Sequence, residues 1–153
     1  MVRVRVGPSA RSAVAFRIAA VAVGGLPLLW LALHGAGAHP ALLDGWFELQ
    51  CGQDPSRRLA VPGLALPVCA RCLGLYLGLA TGALLARPDL GRPALARWIW
   101  GAALVMLVDV ASERVGSRGS WPALRVFTGL LLAHPLGVVF GRAGGGAPAA
   151  TRD

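Results

Sequence analysis

Four apolar runs, each close to the ~20 residues a helix needs to cross a bilayer, constrain this chain more than anything else in it. They fall at about 13–33, 68–86, 94–112 and 122–140. Only 14% of the 153 residues are charged, against ~25% in ordinary soluble domains, and mean hydropathy is +0.62. The pattern predicts an all-α integral membrane protein. Its single domain, 1–140, is a four-transmembrane-helix bundle, and 141–153 reads as a disordered tail.

The net charge of +8 would suit a nucleic-acid partner, but its distribution does not. All fifteen basic residues are arginine, and they sit singly at the edges of apolar runs. Topology signals are placed that way, whereas a nucleic-acid face gathers its cations on one polar surface. The N-terminal arm and first helix carry Arg3, Arg5, Arg11 and Arg17. The second connection carries Arg87, Arg92 and Arg97 against Asp89, and the tail Arg142 and Arg152 against Asp153. In the long first connection Arg57 and Arg58 are outweighed by Asp44, Glu48 and Asp54, and in the third Glu113 opposes Arg114 and Arg118. The positive-inside rule then puts both termini in the cytoplasm and the long first loop outside, in an inner (plasma) membrane. Trp98 and Trp100 would mark the inner interface, Trp46 and Trp121 the outer one. The first run also resembles a secretory leader ending at the small residues 36–38, but its length favours retention as an anchor.

The outer loop has structure of its own. In "ALLDGWFELQ", Leu42, Leu43, Trp46 and Phe47 share one helical face, and Asp44 and Glu48 lie on another. That predicts a short amphipathic helix on the membrane surface. It ends at Cys51, with Gly52 as a stop. A Pro-Gly turn follows between two short apolar arms in "RLAVPGLALP", so the chain doubles back and brings Cys51 toward Cys69 and Cys72.

These are the only three cysteines. Cys69 and Cys72 stand three apart at the outer mouth of the second helix; if that turn is helical, both thiols share a face with Tyr76. Gly74, Gly78 and Gly82 form GxxxGxxxG on the opposite side, where another helix can approach closely. Three chemistries fit the thiols. They supply three soft ligands for a zinc-like metal, leaving a fourth position. They cycle as a dithiol–disulfide pair with Cys51 as exchange partner. Or they form a structural disulfide with a spare thiol, or simply three buried small side chains.

The run Cys51, Gln53, Pro55, Arg57, Pro67, Cys69, Ala70, Arg71, Cys72, Gly74, Tyr76 and Gly78 resembles the signature of domain-of-unknown-function family 2085. These are small prokaryotic multi-pass membrane proteins with a Cys-His-Gln and a Cys-Ala-Arg-Cys element. Asp109 and Arg125, Thr128 and Gly129 resemble later features of the same family. The resemblance implies architecture and no activity. Two positions depart from it: Gly52 stands where the family has histidine, and Arg58 where it usually has serine. A Cys-His plus CxxC set would supply four metal ligands, and this chain is one short. His39, His34 and Asp54 are the candidate substitutes, with water as the remaining option.

The layout is also similar to that of disulfide-forming membrane oxidases, which pair an outward CxxC with quinone. The third connection, "ERVGSRGSWP", lacks the second cysteine pair that those enzymes use. There is no Gly-rich phosphate loop, Ser-His-Asp order or pair of catalytic carboxylates. The first reading is therefore a non-enzymatic accessory or structural subunit, or a homo-oligomer, in the lipid bilayer. Its Cys51, Cys69 and Cys72, with His39 as a further candidate, hold a metal or a structural crosslink. The alternative is a quinone-linked thiol–disulfide oxidoreductase acting through Cys69 and Cys72.

Ionisable groups at membrane depth pair or line polar cavities. Asp109 is expected to pair with Arg71 or Arg125, and the Arg71 charge to lower the pKa of the neighbouring thiols. His134, before Pro135 and near the middle of the fourth run, suits a haem ligand or proton relay. More often a histidine so placed is neutral and bonds a carbonyl freed by the proline.

Overall fold

The computed structural model describes residues 10–52, 57–61, 64–85, 91–116, 119 and 121–142. The expectations for Arg3, Arg5, Asp54, the Pro-Gly turn, Arg87, Asp89, Arg118 and 143–153 lie outside them. The elements run α1 (Ala10–Gly35), α2 (Ala41–Gln50), β1 (Arg58–Val61), β2 (Leu64–Cys69), α3 (Ala70–Leu84), α4 (Arg92–Arg114) and α5 (Pro122–Arg142). Among the described residues three helices are long and apolar enough to cross a membrane: Val14–Gly35 within α1, then α4 and α5.

The second run needs a correction, and with it the all-α reading. Its start is extended backbone, not helix. Strands β1 and β2 form an antiparallel hairpin pairing Ala60 with Ala65 and Val61 with Leu64. The register slips before Arg58 meets Cys69. Pro67, which has no N–H to give a ladder, lies in that slip. The helix begins only at Ala70, so the 15 residues of α3 rise about 22 Å, short of the ~30 Å core. Ala70, Leu73, Gly74, Tyr76, Gly78, Gly82 and Ala83 are all buried, so α3 is walled by protein.

Those walls are set by glycines. A Cβ on Gly74, Gly78 or Gly82 would collide with the backbone carbonyls of Val126, Leu130 and His134, in that order. In return, one on Gly129 or Gly137 would strike the carbonyls of Arg71 and Leu79. Matching steps of four residues along both chains mean that α3 and α5 run parallel, backbone against backbone, the contact small residues allow. Helix α1 runs the other way: Gly24 packs against Tyr76 and Ala80, and Arg17 Nη2 donates to the Leu84 carbonyl at 2.7 Å. That bond satisfies one of the carbonyls left open at the end of α3.

At the opposite end α1 closes with Gly37 at φ +79°. The Gly37 amide bonds His34 O at 3.0 Å and the Ala38 amide bonds Leu33 O at 2.9 Å. This is a Schellman stop, for which a left-handed glycine is needed. It throws the chain across the bundle end as α2. That helix is a lid more than a surface float. Phe47 is fully buried in a cluster with Trp30, Leu66, Val68, Leu73 and Tyr76. Leu42 and Leu49, by contrast, are 92% and 88% exposed, so the helix has apolar groups on two sides and only one is used internally.

Candidate metal centre

The lid, the hairpin and α3 converge on the cysteines. Cys51 follows α2 directly, its amide bonded to Phe47 O at 2.9 Å. Cys69 ends β2 and is the N-cap of α3 in extended conformation (φ −68°, ψ 159°), so it is not the helical residue expected. Cys72 lies one turn into the helix. The three Sγ atoms nonetheless lie within 4.8 Å of one another. All are free thiols, with Cys51 buried and the other two partly so. The Cys69 amide donates to Cys51 Sγ at 3.3 Å.

Hydrogen bonds fix the lid over this cluster. Trp46 Nε1 donates to the Tyr76 hydroxyl at 3.0 Å, and that hydroxyl donates to Gln50 Oε1 at 2.7 Å. Phe47 meets the Tyr76 ring edge-on at 5.8 Å, and Trp30 Nε1 donates to Asp44 Oδ1 at 2.6 Å. Sequence reasoning passed over Gln50, although its place beside Cys51 at the end of an amphipathic helix marks it.

His39 is not with the sulfurs. It stands edge-on to His34, ring centroids 5.2 Å apart, and His34 stacks on Trp30 at 3.8 Å. Among the described residues the cysteines therefore form a three-ligand set. Three thiolates on zinc at Zn–S ≈ 2.3 Å would lie just under 4 Å apart, so the observed spread fits such an ion with little adjustment. A disulfide would need two sulfurs to close to ~2.05 Å.

The Cys69 thiol, ahead of α3, is lowered from 9.0 to about 5. The main cause is a hydrogen bond from the Cys72 side chain, opposed by burial. Arg71 was expected to supply this effect through its charge. Instead its guanidinium is committed to α4. Arg71 Nη2 lies 2.7 Å from Asp109 Oδ2 and 3.3 Å from Glu113 Oε2. Arg125 pairs with Glu113, and Thr128 Oγ1 donates to Asp109 Oδ2 at 3.2 Å. Two cations and two anions thus balance at the junction of α3, α4 and α5. The apolar pattern alone places Glu113 in a loop. It stands four residues after Asp109, hence on the same helix face, which was the available signal.

His134 lies away from both groups. Its Nδ1 is 3.1 Å from Thr81 Oγ1, and its ring stacks with Trp98 at 5.3 Å. Thr81 Oγ1 also lies within donating distance of Leu77 O, at 2.8 Å.

Comparison with known proteins agrees with this membrane architecture. No solved structure matches the chain. An uncharacterized protein of Methanocaldococcus jannaschii, MJ1492, is 33% identical over 91 residues, covering 56% of this chain and 57% of its own length. The chain thus spans little more than half of that relative. The family model "Predicted membrane protein (DUF2085)" matches residues 51–139, a stretch that opens on Cys51, holds the whole sulfur cluster and ion-pair junction, and reaches nearly to the end of α5. The chain belongs to the DUF2085 family of predicted membrane proteins.

Proposed function

We propose that Cys51, Cys69 and Cys72 hold a zinc-like metal ion that pins the α2 lid and the hairpin onto the mouth of α3. The observation that carries this reading is the mutual approach of three sulfurs to within 4.8 Å from three separate elements. Soft thiolates at that spacing suit zinc. The ion would act by cross-linking the cap, since binding energy at a structural site is folding energy. With no histidine at position 52, the fourth position is left to water, to a partner group or to Asp54, which lies outside the described residues. In this reading α3 counts as a fourth crossing, the termini are cytoplasmic and the sulfur cap is extracytoplasmic. The protein serves as a non-enzymatic subunit, packed against other membrane proteins or its own copies.

Metal analysis combined with thiol counting, on protein purified without reductant, tests the reading. Stoichiometric zinc with three thiols protected from alkylation until a chelator is added is the expected result. Metal-free protein with a reversibly reducible Cys69–Cys72 disulfide would overturn it in favour of thiol–disulfide exchange.

A further inference from the structure

Beneath the lid lies a cavity of about 310 Å³, at the lower end of the range of small-molecule sites. Its upper wall holds Gln50, Cys51, Cys72 and Tyr76. Its lower wall is apolar, with Val23, Leu75, Leu79 and Leu136 from three helices. A second hollow of about 190 Å³ continues it, sharing Val23 and Leu79 and ending between Phe16 and Phe140. Together they form a groove between α1, α3 and α5. It runs from the level of Cys72 to that of Phe140, roughly 18 Å at the helical rise of 1.5 Å per residue.

The walls specify an occupant. No charged side chain lines either hollow, which disfavours a phospholipid headgroup, because an unpaired charge is costly there. Val23, Leu136, Phe16 and Phe140 are 38%, 41%, 49% and 43% exposed, on helices apolar enough to span, so the groove opens toward lipid tails. At its upper end Tyr76 spends its proton on Gln50 Oε1, which leaves the Gln50 amide N–H groups to meet an acceptor. Sulfurs and an aromatic ring beside that donor favour a flat π-system.

We infer that this groove binds a prenylquinone-class lipid, its carbonyl-bearing ring beneath the α2 lid against Gln50, Cys51 and Tyr76, and its tail along Val23 and Leu79 toward Phe140. The inference concerns binding alone, and it holds whether or not the sulfurs carry a metal.

The test uses the full chain in lipid nanodiscs and a benzoquinone with a diazirine-bearing prenyl tail. Photolabelling is expected on α1, α3 and α5 around Val23, Leu79 and Phe140, and excess decyl benzoquinone should compete it away. Val23→Phe, which fills the groove where the two hollows meet, should cut labelling by about tenfold or more. Leu107→Phe, on the 64% exposed face of α4, should not. If Val23→Phe lowers the melting temperature, Leu136→Phe on the α5 wall takes its place. Labelling spread over the outer face of α4 would overturn the inference, as would wild-type labelling of the groove-filling variants. Equal competition by a monoacylglycerol would also overturn it, by assigning the groove to acyl lipids.

Discussion

Arg71 lies between Cys69 and Cys72 in sequence, yet it carries its guanidinium to α4 and sets Nη2 2.7 Å from Asp109 Oδ2. The carboxylate side chain is 3% exposed and the arginine 15%. One residue therefore links the sulfur cluster to the long helix that touches the rest of the bundle least.

Breaking that pair should be costly, because the remaining charges stay buried. Asp109→Ala is expected to destabilise the purified protein by about 3–5 kcal/mol, the range for stripping one partner from a buried ion pair. The double variant Arg71→Met/Asp109→Leu should recover most of the loss. Thermal unfolding in micelles measures both, and an unchanged melting temperature in Asp109→Ala would rule out a structural role for the pair.

The contact between α3 and α5 yields a second, purely steric expectation. A Cβ on Gly78 would meet Leu130 O at 2.5 Å and the Ala133 Cβ at 3.0 Å. The colliding atoms belong to backbone and to a methyl group that cannot swing aside. Gly78→Val should therefore cost about 1–3 kcal/mol as overpacking. Gly101→Ala, with nothing within 4 Å of its added carbon, should stay within about 0.5 kcal/mol of wild type. Equal stability of the two variants would mean that α3 and α5 do not meet through these glycines.

The thiols make a third expectation, set by pH. In reduced, metal-free protein the Cys69 thiol ionises at about 5 instead of 9.0. A lowered folded-state pKa means that folding favours the thiolate. The stability it contributes is complete above the ordinary thiol value and is lost as pH falls through about 5. Iodoacetamide labelling of Cys69 should accordingly reach half its maximal rate near pH 5. Removing the main hydrogen-bond donor with Cys72→Ala should move that midpoint upward. A wild-type midpoint near the ordinary thiol value would contradict the hydrogen-bonded arrangement.

Much of this molecule is written in local pattern. Apolar runs set the three long helices, and GxxxGxxxG set the face of α3 that meets α5. The Pro-Gly step between apolar arms implied a chain that doubles back toward Cys51. What local pattern missed depends on partners distant in sequence. Val68 and Cys69 read as the start of a helix because they are apolar and continuous with it, but β1 claims them as strand. Phe47 and Leu42 look alike in sequence, and only the bundle end decides that Phe47 is buried and Leu42 is not. Glu113 reads as a loop charge because the third apolar run ends at about 112, whereas α4 continues to Arg114.

The last expectation concerns the residue that follows Cys51. Gly52 is exposed and adjoins Cys51, and a Cβ added to it would meet nothing within 4 Å. Its backbone does not occupy the left-handed region that would penalise a side chain. Gly52→His therefore places an imidazole beside a sulfur set that has three ligands among the described residues, at little steric cost. A tetrahedral Cys₃His site is closed to water, and an added ligand of this kind should tighten zinc by about tenfold or more. Competition against a chromophoric chelator reads the change directly, with Gly52→Ala as the control for backbone stiffening. A histidine variant that binds zinc no more tightly than the alanine variant would show that position 52 does not face the ion, and the fourth ligand would then have to come from elsewhere.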